Sequence, residues 1–368
     1  MARLDQICTL NMGQSPDSSS YNENNEGMPF FQGNADFGKI HPKVRVWCSS
    51  PTKIAHEGDV LISVRAPIGA LNIADRECCI GRGLAALTVN EELCNKDYLW
   101  FAIASKVDEL NSKGTGSTFK AISKNVLAET DIPLPCLAEQ LKIARKLAKV
   151  DDMIALRKEQ LAKLDQLVKS RFVELFIGKG YPTKTVDEVS LGKGEYGAQS
   201  ASVEHDPTRP RYVRITDIND DGTLNDDVVA SINPADDEQY KLEYGDFMFA
   251  RMGATVGKTY AFVEGNQIFA GYLIRYRLNQ TLINPRYLFW YTRLDEYWNW
   301  VKLNQSGAAQ PGINAKKYGS LQIPLPSIEE QNAFAAFVEQ TDKTKLTIKT
   351  SLDKLEVMKK SLMQQYFG

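Results

Sequence analysis

The stretch Gly253-Ala254-Thr255-Val256-Gly257-Lys258-Thr259 carries the glycines, lysine and threonine of a phosphate-cradling loop. That loop needs four residues between its glycines, and here there are three, with Met252 where a glycine would complete the motif. The expected form is a strand turn that leaves Lys258 free to meet a phosphate. The six cysteines (Cys8, Cys48, Cys78, Cys79, Cys94 and Cys136) form no Cys-x-x-Cys pair, and the histidines His41, His56 and His205 lie far apart. A zinc site needs paired clusters of soft ligands, so no metal site is expected, and reduced thiols are. Asn233-Pro234-Ala235 and Asn284-Pro285-Arg286 both fail, at their third residue, the Asn-Pro-Pro-aromatic pattern of adenine methylation. No Ser/His/Asp set or paired acidic nuclease motif emerges. The expectation is a chain without catalytic residues.

What remains is a population of polar loop residues suited to base edges and phosphates. Asn and Gln fit adenine, Arg and Lys fit guanine, and Ser or Thr fit either. In the first half these are Gln14, Ser15, Tyr21, Gln32, Asn34 and Arg65, then Lys113, Ser117, Lys120 and Lys124 around Gly114 and Gly116. The second half offers Arg211, Arg214, Thr216, Arg251, Lys258, Gln305, Gln310 and Asn314.

The elements that must position them occur twice. Ile132-Pro133-Leu134-Pro135 returns as Ile323-Pro324-Leu325-Pro326, and holding that offset through residue 177 gives 15 identities in 46 positions. Among them are Glu139-Gln140 with Glu330-Gln331, and Leu161-x-Lys163-Leu164 with Leu352-x-Lys354-Leu355. Upstream, Gly58-Asp59 pairs with Gly245-Asp246, Tyr98-Leu99 with Tyr287-Leu288, and the loop 113–122 with 305–313. Each copy is a divergent globular segment (1–135 and 179–326) followed by a similar shorter one (136–178 and 327–368).

The shorter segments read as long helices. Ser327-x-x-Glu330 is a capping box behind two prolines; Cys136 replaces the serine in the first copy, predicting a weaker start. Leu147, Ile154, Leu161 and Val168 repeat every seven residues with Leu164 between them, and Val338, Ile348, Leu352, Leu355 and Leu362 form the second stripe. At 1.5 Å per residue each helix spans about 60 Å. Neither can bury its stripe alone, so the two are expected to pair antiparallel as a coiled coil, with the globular units related by a pseudo-twofold axis. Leu167, Phe172, Phe337, Met358 and Met363 form a second apolar edge, wide enough for further helices to join.

The globular segments read as α+β. Strands are expected at 60–64, 247–251 and 273–278, the last with Arg275 and Arg277 sharing one face. Asn95 and Asn284 read as helix caps, with Pro285 in a first turn and the aromatics behind them as core. No run of apolar residues is long enough to span a membrane, and the start lacks the apolar core of a signal peptide, so the expected location is the cytoplasm. The net charge of −2 splits as −3 for 1–135, +3 for 136–178, −2 for 179–326 and 0 for 327–368. Neither globular segment is basic, so binding of nucleic acid by the lone chain should be weak.

Two divergent units, each followed by a near-identical long helix, resemble the specificity (S) subunit of type I restriction–modification systems. The likeness is carried by Gln14-Ser15-Pro16 to Tyr21, Pro29-Phe30-Phe31-Gln32-Gly33, both Gly-Asp strand openings and both Ile-Pro-Leu-Pro-x-x-x-Glu-Gln helix starts. The resemblance implies two target-recognition domains on double-stranded DNA, reading a bipartite site. It also implies two methyltransferase subunits packed on the paired helices, restriction subunits that join, and S-adenosylmethionine on the methyltransferase partners rather than on this chain. Pro29-Phe30-Phe31-Gln32 faces Arg211-Tyr212-Val213-Arg214 in the second copy, so the half-sites should differ. A duplicated scaffold that never touches DNA is the competing reading.

Overall fold

The computed structural model describes residues 1–116, 120–232, 238–307 and 311–368. It divides into two compact units, Met1–Lys158 with Thr350–Gly368, and Glu159–Lys349. Each unit holds one globular segment together with a stretch of both long helices.

The first unit is built on a four-stranded antiparallel sheet ordered Cys8–Met12, Leu84–Val89, Val60–Ser63, Leu71–Ile73. Alternation along these strands serves two cores rather than a core and solvent. Val60, Ile62, Ala85 and Leu87 pack with Tyr98, Leu99 and Ala102 of the helix Lys96–Ala104. Leu61, Leu84 and Ala86 pack on the other face with Phe31, Cys78 and Ile80. Both faces of the central strand are therefore covered, and it reads as a continuous apolar run. Phe31 and Ile80 belong to a second sheet, in which Met28–Phe31 and Cys78–Ile80 run parallel.

The second unit repeats the order with Glu195–Tyr196, Leu273–Arg277, Asp246–Ala250 and Thr259–Ala261. Phe247, Phe249, Ile274 and Tyr276 face the helices, while Met248, Ala250 and Leu273 face Val213 and Phe269. Its parallel pair is Arg211–Val213 with Gln267–Phe269. The expected strands are present within a residue or two. The two arginines of the shared face part ways: Arg277 is exposed, whereas Arg275 is buried, its guanidinium bonded to Glu195 and the Lys241 carbonyl and lying 4.8 Å from the Phe269 ring centroid.

The junction between each globular segment and its long helix is built the same way twice. Prolines 133, 135, 324 and 326 carry no N–H, so these segments stay extended and offer carbonyls. Tyr98 donates its hydroxyl to the Pro133 carbonyl at 2.8 Å and Tyr287 to that of Pro324 at 2.7 Å. Burial pushes the Tyr98 phenol up to about 12. Gln140, fully buried, donates to the Leu93 and Pro135 carbonyls and accepts the Asn95 N–H at 2.8 Å. Gln331, equally buried, donates to Leu282 and Pro326 and accepts the Asn284 N–H at 2.9 Å. Asn95 and Asn284 in turn cap the short helices Lys96–Ala104 and Pro285–Tyr291.

The long helices are Leu137–Phe176 and Ile328–Phe367. The capping box at the second start forms, with Ser327 Oγ accepting the Glu330 N–H and Glu330 accepting the Ser327 N–H. The first helix ends before Gly178, which lies in the left-handed region that ends helices. Within the first unit, Leu147 and Val150 share a core with Leu362 and Phe367, while Asp151 pairs with Lys359 and Lys158 with Glu356. Within the second, Val168, Phe172 and Phe176 pack with Phe334 and Val338, and Asp165 pairs with Lys345. In each unit the paired numbers run in opposite directions, so the two segments are antiparallel. Ile154, Leu161, Leu164, Ile348, Leu352 and Leu355 are half-buried.

On the expected second edge, Leu167 and Met358 are exposed, and Phe337 and Met363 are half-buried. Phe172 departs from that expectation. It is fully enclosed, 5.0 Å from the Tyr287 ring and 5.2 Å from that of Phe334, and belongs to the core of its own unit. Its position near the helix end, opposite the short aromatic helix, draws it inward.

Replacing Gln331 by leucine strands one buried N–H and two carbonyls and is expected to cost about 2–4 kcal/mol. Urea unfolding of the variant should show that loss, and an unchanged midpoint would contradict the role assigned to the glutamine.

Candidate nucleic-acid interface

In the first unit the chain leaves the strand Cys8–Met12 at Gln14-Ser15, and leaves Met28–Phe31 at Gln32. The parallel pairing brings both beside the turn Gly81-Arg82-Gly83. Gln14 donates its N–H to the Ile80 carbonyl, Gly81 to that of Phe31 and Gly83 to that of Gln32. Ser15 Oγ sits 3.0 Å from Gln32 Nε2 and accepts the Arg82 N–H at 3.3 Å. Asp36, buried, accepts the N–H groups of Gln32 and Gly33 and pairs with Arg45, which stiffens the loop behind. Gln14, Gln32 and Arg82 are exposed.

A second group joins this one through a backbone stitch. Val64 donates its N–H to the Gly83 carbonyl and accepts the Ile122 N–H, while Ala66 bonds to the Lys120 carbonyl and Arg65 bridges Ala121. Exposed Arg65 and Lys120 therefore stand on the same end of the unit as Gln14, Ser15, Gln32 and Arg82. The second unit uses the same stitch: Arg251 donates its N–H to Tyr272 and accepts that of Ile313.

The remaining expected residues of the first unit play other parts. Tyr21 is half-buried, stacks on Phe30 at 4.7 Å and bonds to the Pro16 carbonyl, so it braces its loop. Asn34 opens the single turn Asn34–Asp36. Lys113 pairs with Glu109 at 2.7 Å, and Lys124 is exposed in the first turn of Lys124–Ala128. Ser117 lies outside the described residues, as do Gln310 and the 233–235 tripeptide.

In the second unit the basic side chains are engaged. Arg214 is bonded to buried Asp217 and to the Val228 carbonyl, and Arg211 to Asp226 and the Asn225 carbonyl. Lys258, expected to be free for a phosphate, is instead engaged: it pairs with Asp220 at 2.8 Å and donates to the Ile218 carbonyl. The intervening loop carries Asp217, Asp220, Asp221, Asp226 and Asp227, and its folding toward the sheet brings three of these carboxylates to the cations. Arg251 lies 4.7 Å from the Tyr196 ring centroid. Thr216 and Gln305 are exposed, and Asn314 caps Ala315–Gly319 by accepting the Lys317 N–H.

Sequence reading passed over Arg82, Tyr272 and Gln199-Ser200. The signals were present: Gln-Ser follows the first sheet strand of each copy, and Arg82 stands between two glycines. The backbone bonds of the two turns match Arg82 with Gly271 and Gly83 with Tyr272, and Gln32 matches Arg214 at the ends of the first parallel strands. Among the described residues no group of His, Cys, Asp and Glu could hold a metal ion. Cys8, Cys48, Cys78, Cys79 and Cys94 are buried and unpaired, with burial pushing Cys8 and Cys78 up to about 12. No helix among the described residues is long and apolar enough to cross a membrane.

The family described as "type I restriction modification DNA specificity domain" matches residues 1–166 and again 189–357, one match for each copy. The chain belongs to this family. The type I restriction enzyme MjaX specificity subunit of Methanocaldococcus jannaschii is 41% identical over 168 residues, which is 46% of this chain and 40% of that protein. The chain thus spans less than half of that relative. The EcoBI specificity subunit of Escherichia coli is 22% identical over 413 residues, covering 99% of this chain and 84% of the relative. The crystal structure of the S subunit of a type I restriction–modification system from M. genitalium superposes with a TM-score of 0.60 at 16% identity, over all of this chain and 95% of that one. That likeness is one of fold.

Because Arg214 neutralises a carboxylate that is buried beneath it, Arg214→Ala is expected to destabilise the second unit by about 1–3 kcal/mol. Thermal unfolding checks this, and an unaltered Tm would mean that the guanidinium is held for something outside the chain.

Proposed function

We propose that the chain is the non-catalytic subunit that gives a type I restriction–modification complex its DNA sequence specificity. Each unit reads one half of a bipartite, asymmetric site on double-stranded DNA. The observation that carries this reading is one scaffold used twice with different groups at matched positions: Gln32 and Arg82 in one unit, Arg214 and Gly271 in the other. A scaffold that only joined proteins would have no reason to place Gln, Ser, Arg and Lys together at a pinned loop end, and different loops reading different bases would diverge as these have.

The long helices act as the ruler. Their heptad stripes pair as an antiparallel coiled coil, placing the units about a pseudo-twofold axis and setting the half-sites roughly one turn of duplex or a little more apart. Two methyltransferase subunits pack on the outer apolar edge around Leu167 and Met358, and restriction subunits join that assembly in the cytoplasm. This chain holds no cofactor. S-adenosylmethionine belongs to the methyltransferase partners, which extrude the target adenine for methylation while this chain holds the duplex in register. Since neither unit is basic overall, affinity of the lone chain is low and rises on assembly.

Methylation-aware genome sequencing of a host expressing this chain with its methyltransferase partner should reveal one bipartite motif with unlike halves. Absence of any motif, with the complex assembled, would favour the scaffold reading. Charge at the helix seam tests the ruler: Leu352→Glu with Leu355→Glu should lower the Tm and abolish methylation of the whole motif. Retention of wild-type stability would contradict helix pairing through these residues.

A further inference from the structure

We infer that Arg82 reads a guanine in the half-site served by the first unit, an assignment that rests on the DNA-specificity reading above. Arg82 stands at the tip of a turn whose backbone is pinned on every side: at Ile80 by Gln14, at Gly81 by Phe31, at Gly83 by both Gln32 and Val64, and at its own N–H by Ser15. The glycines are what permit this. A Cβ at 81 would come within 2.8 Å of Gln32 Oε1, and one at 83 within 2.5 Å of the Gln32 carbonyl. Gln32 therefore lies directly against the turn, with its amide held by Ser15.

The side chain itself is uncommitted. Arg82 is exposed, and among the described residues its guanidinium has no hydrogen-bond or ion-pair partner. That sets it apart from Arg3, Arg45 and Arg76 of the same unit, each paired with a carboxylate. It also differs from Arg211 and Arg214, which are bonded within the second unit. A fixed backbone carrying a free planar fork is the arrangement that suits the two acceptors, O6 and N7, on the major-groove edge of guanine. Its neighbours Gln32 and Ser15 are base-edge groups. Arg65 stands instead with Lys120 beside the Gly114-x-Gly116 loop, a setting suited to phosphate. In the second unit the position matching Arg82 is Gly271, which has no side chain and cannot make this contact.

The test uses the assembled complex in a host lacking other modification, with the host genome as the probe. Arg82→Ala should make one guanine position of one half-site degenerate and leave the other half-site unchanged. Discrimination at that position should fall about 5- to 150-fold, the worth of one bidentate contact. Arg82→Gln should move the same position toward adenine, again in that one half-site alone. A motif that stays intact while methylation falls evenly at all sites would make Arg82 a phosphate contact and overturn the assignment. So would an unchanged motif and rate in a complex whose wild-type form yields a clear motif. If the wild-type complex yields no motif, the DNA-specificity reading itself fails.

Discussion

The glutamine that enters each long helix governs how the rest of each unit is held. Gln140 and Gln331 each satisfy three backbone groups in a place closed to water, joining the proline-braced segment, the helix start and the loop ahead of the short helix. A side chain amide offers donors and an acceptor at once, and no apolar residue could meet both kinds of partner. With Tyr98 or Tyr287 closing the same corner, the direction of the long helix is set relative to its sheet. An error here would propagate along the helix.

Above that corner the four-stranded sheet is buried on both faces, against helices on one side and the second sheet on the other. The consequence is a division of labour along each strand. One end carries the clasp to the long helix, while the opposite end carries Gln14, Ser15, Gln32 and Arg82, stitched through Val64 to Arg65 and Lys120. Loops at that end can change without touching either core. The same stitch through Arg251 in the second unit supports another set of side chains, with Arg251 stacked on Tyr196.

Charge follows the same economy. Arg211, Arg214 and Lys258 neutralise carboxylates of an acidic loop, so their positive charge serves the second unit before it can serve a partner. The near-zero net charge of the chain is thus matched by local pairing in this loop, while Arg65, Arg82 and Lys120 stay exposed at the loop end of the first unit.

The duplication, the helix boundaries, the caps at Asn95, Asn284 and Ser327 and the aromatic cores were all legible in the sequence, because they depend on local chemistry and on spacing along the chain. The repeated Ile-Pro-Leu-Pro-x-x-x-Glu-Gln was legible too, though not what its glutamine does, since two of its three partners lie 45 to 49 residues away in the chain. Only the tertiary structure decided which cations are spent, enclosed Phe172, and buried Arg275 while leaving Arg277 exposed. Only it brought Arg82 beside Ser15 and Gln32, through a parallel strand pairing that no local pattern announces. A residue type proposes what a side chain can bind; whether the side chain is free to bind it is settled by what the fold places next to it.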